Sequence, residues 1–230
     1  MTETVVFKNG VTVPQEVVEV ACVLDRSGSM QSIKNDTIGG FNAFLEEQKK
    51  AGASVKMTLT VFSDRVAFMF DAVDIANVPA LTPSTYIPNG MTALYDAIGK
   101  TIRHIETRFA AIPEAIRPTK VIMAIVTDGE ENNSETFTSD IVRELIQAKT
   151  SIGWAFVFIG ANQDAYAESA KIGIPKAMTM NFVPNARGVA QTYRSIGAAV
   201  LTYCATGKVS EQWNADSISK NGKLKSTTTD

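Results

Sequence analysis

The sequence predicts a doubly wound α/β fold: a mostly parallel, six-stranded sheet with one antiparallel edge strand and helices on both faces. Three observations carry this. Val17–Leu24, Val121–Val126 and Trp154–Ile159 are short and almost wholly apolar, as strands covered on both faces are. Between them run longer stretches with apolar residues at helical spacing, and strands alternating with helices imply a parallel sheet. One pair of alternating runs is joined by only Ser63-Asp64-Arg65, too short for a parallel crossover, so these two strands form a hairpin at the sheet edge.

Taken in order, the valine-rich run Val17–Leu24 ends at Asp25, and a polar loop, Arg26 to Ser32, follows. Ile38, Phe41 and Leu45, with Phe44 widening the stripe, make one face of a helix. Lys49 and Lys50 suit its C-terminus and Gly52 closes it. Val55, Met57, Leu59 and Val61 alternate as a strand, and after the turn Val66, Phe68 and Phe70 alternate again. Asp71 to Met91 reads as loop and carries Pro79, Pro83 and Pro88. From Thr92 a helix is expected, with Leu94, Ile98, Ile102, Ile105 and Phe109 as its stripe and Pro113 and Pro118 marking its stop. The strand Val121–Val126 runs into Thr127-Asp128-Gly129; the polar loop Glu130–Phe137 leads to a helix over Ser139–Lys149. Beyond Trp154–Ile159, a helix near Ala161–Lys171, a strand near Ala177–Phe182 and a helix over Ala186–Tyr203 are expected, the last with Val189, Tyr193, Ile196 and Val200 on one face. Residues 1–15 are read as an N-terminal extension, 16–206 as one domain, and 207–230 as a polar, mobile tail.

The 230 residues suffice for one domain with a full core. A net charge of -2 with no basic stripe argues against nucleic-acid binding. No apolar run reaches membrane-spanning length, so no membrane role is expected. Cys22 and Cys204 lack CxxC neighbours and read as packed thiols, and without an apolar signal core in Met1–Gly10 the expected location is cytoplasmic. His104, the sole histidine, lies in a helix away from the motif loops and is read as surface or partly packed.

Three loops carry chemistry: Asp25-Arg26-Ser27-Gly28-Ser29-Met30, Asn89-Gly90-Met91-Thr92 and Thr127-Asp128-Gly129-Glu130-Glu131. Asp25 and Asp128 both end apolar strands. In an open α/β sheet, ligands bind outside the carboxyl ends of the strands where strand order reverses. With the order 3-2-1-4-5-6 the two strands are neighbours at that point, and both carboxylates face one crevice. Paired carboxylates repel unless a proton or cation intervenes. The accompanying groups are the hydroxyls of Ser27, Ser29 and Thr92, without His or Cys. Such oxygen donors select hard cations, Mg²⁺, Mn²⁺ or Ca²⁺, over Zn²⁺. Two carboxylates only neutralise a divalent ion, leaving it to seek a further anion, such as a partner's Asp or Glu.

This constellation, Asp25-x-Ser27-x-Ser29 with Gly90-Met91-Thr92 and Thr127-Asp128-Gly129, resembles the metal-ion-dependent adhesion site (MIDAS) of von Willebrand factor A (VWA) domains. The resemblance spans roughly residues 16–205, strand and helix order included. It implies a Rossmann-like fold, hydroxyl ligation by Ser27, Ser29 and Thr92, direct or water-mediated ligation by Asp25 and Asp128, and protein binding through a partner carboxylate. It also implies the stand-alone intracellular type found in bacteria and their phages, working within a larger assembly, with the final helix a candidate for movement.

Other readings stay open at this level. Ser27, Ser29 and Thr92 are also good helix N-caps, and Asp128-Gly129 a plain turn. Glu130 and Glu131 read as solvated loop, Asp96 as a helix-start acid favoured by the dipole. Gly160-Ala161-Asn162-Gln163-Asp164 is balanced between rimming the crevice and capping the next helix. A Mg²⁺-dependent phosphohydrolase would use Asp25 as nucleophile, but Ser27 stands where a second aspartate is needed and the motif loops hold no lysine. The glycine and Walker fingerprints of nucleotide sites are missing. A structural subunit that keeps the fold without using a metal is the remaining alternative.

Overall fold

The computed structural model describes residues 5–8, 11–14, 17–113, 117–161 and 165–215. Strands β1 (Val5–Lys8) and β2 (Val11–Pro14) pair antiparallel as a separate ribbon within the N-terminal extension. The main sheet holds β3 (Val18–Asp25), β4 (Val55–Phe62), β5 (Val66–Asp74), β6 (Lys120–Thr127), β7 (Ala155–Ala161) and β8 (Thr179–Phe182). Its order is β5-β4-β3-β6-β7-β8, and every pairing is parallel except β4–β5. This is the predicted doubly wound sheet with its antiparallel edge, and order reverses between β3 and β6.

Helices cover both faces, and the two-residue period of the strands decides which side chains each meets. On one face α1 (Lys34–Ala51) and α5 (Ala186–Thr206) bury Phe41, Phe44, Leu45, Val189, Ile196 and Val200 against Val18, Val20, Cys22 and Leu24. On the other, α2 (Leu94–Ala110), α3 (Ser139–Thr150) and α4 (Ala165–Lys171) pack over Ala21, Val23, Val121, Met123 and Ile125. The α2 stripe Leu94, Ile98, Ile102, Ile105 and Phe109 lies wholly in this second layer. Burying each such side chain contributes about 1.5–3 kcal/mol, so both layers hold the sheet firmly. Asp25 and Thr127 share the odd-numbered face with Ala21 and Ile125, which turns them toward α2.

Two details differ from the sequence reading. Strand β5 runs on to Asp74 instead of yielding to loop at Asp71. A β-bulge sets Asp71 and Ala72 against Thr58; Ala72 takes a left-handed φ of 49°, and its N–H donates to Thr58 Oγ1 at 3.0 Å. Helix α2 starts at Leu94, not Thr92. Beyond Gly207 most side chains as far as Ala215 are exposed, but Trp213 and Asn214 are buried. Trp213 is 3% exposed and its Nε1 donates to Ala177 O at 2.9 Å, while Asn214 Nδ2 donates to Thr179 O at 3.2 Å. A large indole with one donor gains both burial and a partner there. Residues 216–230 lie outside the described residues. Among the described residues no helix is long and apolar enough to cross a membrane.

Candidate metal centre

The loops after β3 and β6 leave the sheet side by side, because β3 and β6 pair in parallel with Leu24 opposite Val126. One step further, Thr127 Oγ1 donates to Asp25 Oδ2 at 2.6 Å, and Ser27 N–H donates to Asp25 Oδ1 at 2.6 Å. Asp25 is fully buried with both carboxylate oxygens held. Burial pushes its carboxyl up to about 6; the Thr127 and Ser27 hydrogen bonds oppose this, and the charge of Asp128 adds to it. Asp128 is raised as well, again by burial, with the Ser29 hydroxyl opposing.

Hydroxyls bridge these carboxylates. Ser29 Oγ donates to Asp128 Oδ1 at 2.5 Å, and Ser27 Oγ and Ser29 Oγ lie 3.1 Å apart. Gly129 shows how close the remaining oxygen is: a Cβ built there would stand 3.2 Å from Thr92 Oγ1, 3.6 Å from Ser29 Oγ and 3.9 Å from Ser27 Oγ. The hydroxyls of two loops therefore converge over a glycine of the third. Asp25, Ser27, Ser29, Thr92 and Asp128, the predicted site residues, come together.

The capping alternatives do not describe these side chains. Ser27 does precede the short 3₁₀ turn Gly28–Ile33 but makes no side-chain cap bond. Ser29 spends its hydroxyl on Asp128. Helix α2 has Ala93, not Thr92, at its N-cap, also without a side-chain cap bond. Its exposed N–H groups are met instead from the loop after β6: Tyr95 N donates to Glu131 Oε2 at 2.9 Å and Asp96 N to Ser134 Oγ at 3.0 Å. Glu131, read from sequence as solvated loop, is thus the acid that serves the α2 N-terminus. Its Oε1 also accepts from Asn133 N and Ser134 N.

Asp96 works in the opposite direction, from helix to loop. Its Oδ1 accepts from Thr136 N at 2.9 Å and Phe137 N at 2.8 Å, and Lys100 Nζ lies 2.8 Å from Oδ2. Burial opposes ionisation, but the lysine and the two N–H groups outweigh it and hold the carboxyl below its usual range. Thr92 is fixed from the same loop, donating its N–H to Asn132 Oδ1 at 2.8 Å and accepting Asn132 N–H at 3.0 Å. Neither Glu131 nor Asp96 carried a sequence signal for this clamp, since both roles depend on where the loop travels.

Tyr86 was also missed. It is fully buried, and its hydroxyl donates to the backbone oxygen of Asp25 at 2.5 Å. Gly90 has φ +73° with Asp64 against its α-carbon, a place where a side chain would be both strained and obstructed. Gly160 and Ala161 line a small cavity of about 70 Å³ with Asp128, Gly129 and Glu168; the rest of that sequence stretch, residues 162–164, lies outside the described residues. His104 stacks on Phe68 with ring centroids 4.2 Å apart and faces Asp71 at 2.8 Å, on α2 well along from the site.

The donor chemistry is oxygen alone. Among the described residues there is no group of three or more His, Cys, Asp or Glu suited to a metal, so a cation here depends on hydroxyls for much of its shell. That arrangement fits a hard divalent ion.

An open, mostly parallel sheet with a ligand cluster at its switch point defines an α/β domain of the Rossmann-like class. More narrowly, the chain belongs to the von Willebrand factor type A domain family, whose profile matches residues 19–196. The vWF domain of the type V pili tip protein Mfa5 from Porphyromonas gingivalis superposes with a TM-score of 0.62 at 11% identity, covering 86% of this chain and 99% of that one. The PilB minor pilin from Streptococcus sanguinis gives 0.58 at 13% identity, covering 81% of this chain and 61% of its own. Proximal thread matrix protein 1 from the mussel byssus, solved with a zinc-occupied MIDAS motif, gives 0.52 at 16% identity, covering 80% and 45%. The chain thus spans less than two thirds of the pilin and of the byssal protein, and at these identities the likeness is one of fold. Comparison with curated protein sequences gives no match.

Proposed function

We propose that this domain is a metal-dependent protein-binding module. A divalent cation, Mg²⁺ in the first instance, is held by Asp25, Ser27, Ser29, Thr92 and Asp128, some of them through water. It accepts an Asp or Glu carboxylate of a protein partner, and the domain works within a larger assembly. The observation that carries this reading is the convergence of the Ser27, Ser29 and Thr92 hydroxyls over Gly129, with Ser29 already bonded to Asp128. Asp25 and Asp128 balance a dication and the hydroxyls add no charge, which favours an incoming anion. Asp25 is buried, with both oxygens engaged by neighbours, an arrangement that supports a positioning role over that of a nucleophile. The reading is therefore non-enzymatic. The byssal relative holds zinc in its motif, so the ion is a variable of the test.

The test is calorimetric titration of chelator-stripped protein with Mg²⁺ and Mn²⁺, beside Asp25→Ala and Thr92→Ala, with and without acetate as a surrogate carboxylate. One site is expected, weakened about tenfold or more in both variants and strengthened by acetate. Silence under all conditions would transfer the domain to the structural-subunit reading.

A further inference from the structure

Two of the large apolar side chains most open to solvent lie on the segment that carries Tyr86 and Thr92. Met91 immediately precedes Thr92, Ile87 immediately follows Tyr86, and each is 49% exposed. Scattered apolar residues on a surface are ordinary. These two differ because the segment that carries them is tied to the loop after β3 and to the β4–β5 turn. Tyr86 hydroxyl donates to Asp25 O at 2.5 Å, Asn89 N to Arg26 O at 2.8 Å, and Gly28 N to Gly90 O at 3.0 Å. Met91 N donates to Asp64 Oδ1 at 2.8 Å and Ala93 N to Ser63 O at 3.0 Å. The loop so held keeps Ile87 and Met91 exposed on the same segment that delivers Thr92 to the oxygen cluster.

We infer that the segment of the partner that engages this site is a peptide in which a single acidic residue adjoins a large apolar one. This rests on the reading of the site as a metal centre and adds the partner's chemistry. The acid supplies the carboxylate that two site carboxylates and three hydroxyls leave a dication able to accept. The neighbouring apolar side chain covers Met91 and Ile87. Apolar area removed from water stabilises the contact, and a methionine adapts its flexible chain to varied shapes. An acid, Asp64, already stands at Met91, bonded to its N–H. A second acidic residue on the partner therefore gains nothing there, whereas an apolar one does. Cores of protein interfaces are depleted of charge and enriched in methionine for the same reason.

The experiment pans a displayed library of short random peptides on the full chain in Mg²⁺, with elution by chelator and counter-selection on Asp25→Ala. Selected peptides are then titrated into wild type, Met91→Ser and Ile87→Ser, with Mg²⁺ affinity measured in parallel. The expected result is chelator-eluted peptides holding one Asp or Glu beside Leu, Ile, Met or Phe. Each rim variant should weaken them about fivefold, and replacing the peptide's apolar residue by Gly should do the same. Acid-bearing peptides without apolar neighbours, or ones indifferent to both variants, would overturn the inference while leaving the metal centre standing. Losses of peptide affinity that merely track losses of Mg²⁺ affinity would overturn it too. Absence of any chelator-eluted peptide would remove the metal-dependent reading and the inference with it.

Discussion

Gly129 shapes the site although it offers no side chain to a ligand. Its bare α-carbon leaves the room into which Thr92, Ser29 and Ser27 aim their hydroxyls. In Gly129→Ala the new methyl would stand 3.2 Å from Thr92 Oγ1, which must give way by a few tenths of an ångström. Mg²⁺ demands near-ideal octahedral geometry, so affinity should fall about tenfold. The fold itself should tolerate the methyl, and a thermal melt of the stripped protein should show little change. Unaltered affinity in calorimetry would mean that Thr92 is not a ligand. At this scale the five ligand candidates were legible because the residue types and their strand-end positions are themselves the chemistry. Tyr86 was not: a buried tyrosine in a proline-rich loop shows its purpose only once the loop is laid across Asp25.

Between residue and fold stands the clamp joining α2 to the loop after β6. Glu131 and Ser134 serve the helix N-terminus, and Asp96 returns the service to Thr136 and Phe137. Asp96→Ala would strip an acceptor from two part-buried N–H groups, costing about 1–3 kcal/mol. The melting temperature should drop by roughly 2–10 °C, and amide exchange should quicken across residues 131–137. Metal affinity should fall as well, because Asn132 of the same loop holds Thr92. Unchanged exchange in that loop would show that the clamp is not what orders it. Periodicity revealed α2 and its buried stripe but not where it begins; the start is set by acceptors on another segment. Likewise the alternation of Val66, Phe68 and Phe70 announced β5, while the bulge at Asp71–Ala72 that prolongs it depends on Thr58 of the partner strand. The N-terminal ribbon had a sequence signal that was passed over: Asn9-Gly10 between two valine-containing runs is a hairpin signature.

For the molecule as a whole, strand order was the decisive legible feature. Hydrophobic runs placed Asp25 and Asp128 at strand ends, and the doubly wound order brought those ends together. The C-terminal segment was illegible because it lacks period, and a lone tryptophan among polar residues gives no sign of where it will dock. Trp213 is buried with its Nε1 on Ala177 O near the start of β8, and Trp213→Ala should cost about 3–5 kcal/mol. Chemical denaturation should show the midpoint falling with an unchanged slope. A midpoint within error of wild type would mean that the segment contributes nothing to the domain.

The Ser29–Asp128 hydrogen bond closes a gap of 99 residues, and Thr127–Asp25 one of 102. Candidate ligands so distant in sequence meet only when β3 and β6 have paired at the centre of the sheet. A chain still searching for its topology has nothing to offer a cation. Bound ion should therefore act as a latch on departure and not as a guide to arrival. In stopped-flow experiments Mg²⁺ should slow unfolding in proportion to site occupancy and leave the refolding rate nearly unchanged. Faster refolding in Mg²⁺ would place the contact between these two loops already in the transition state.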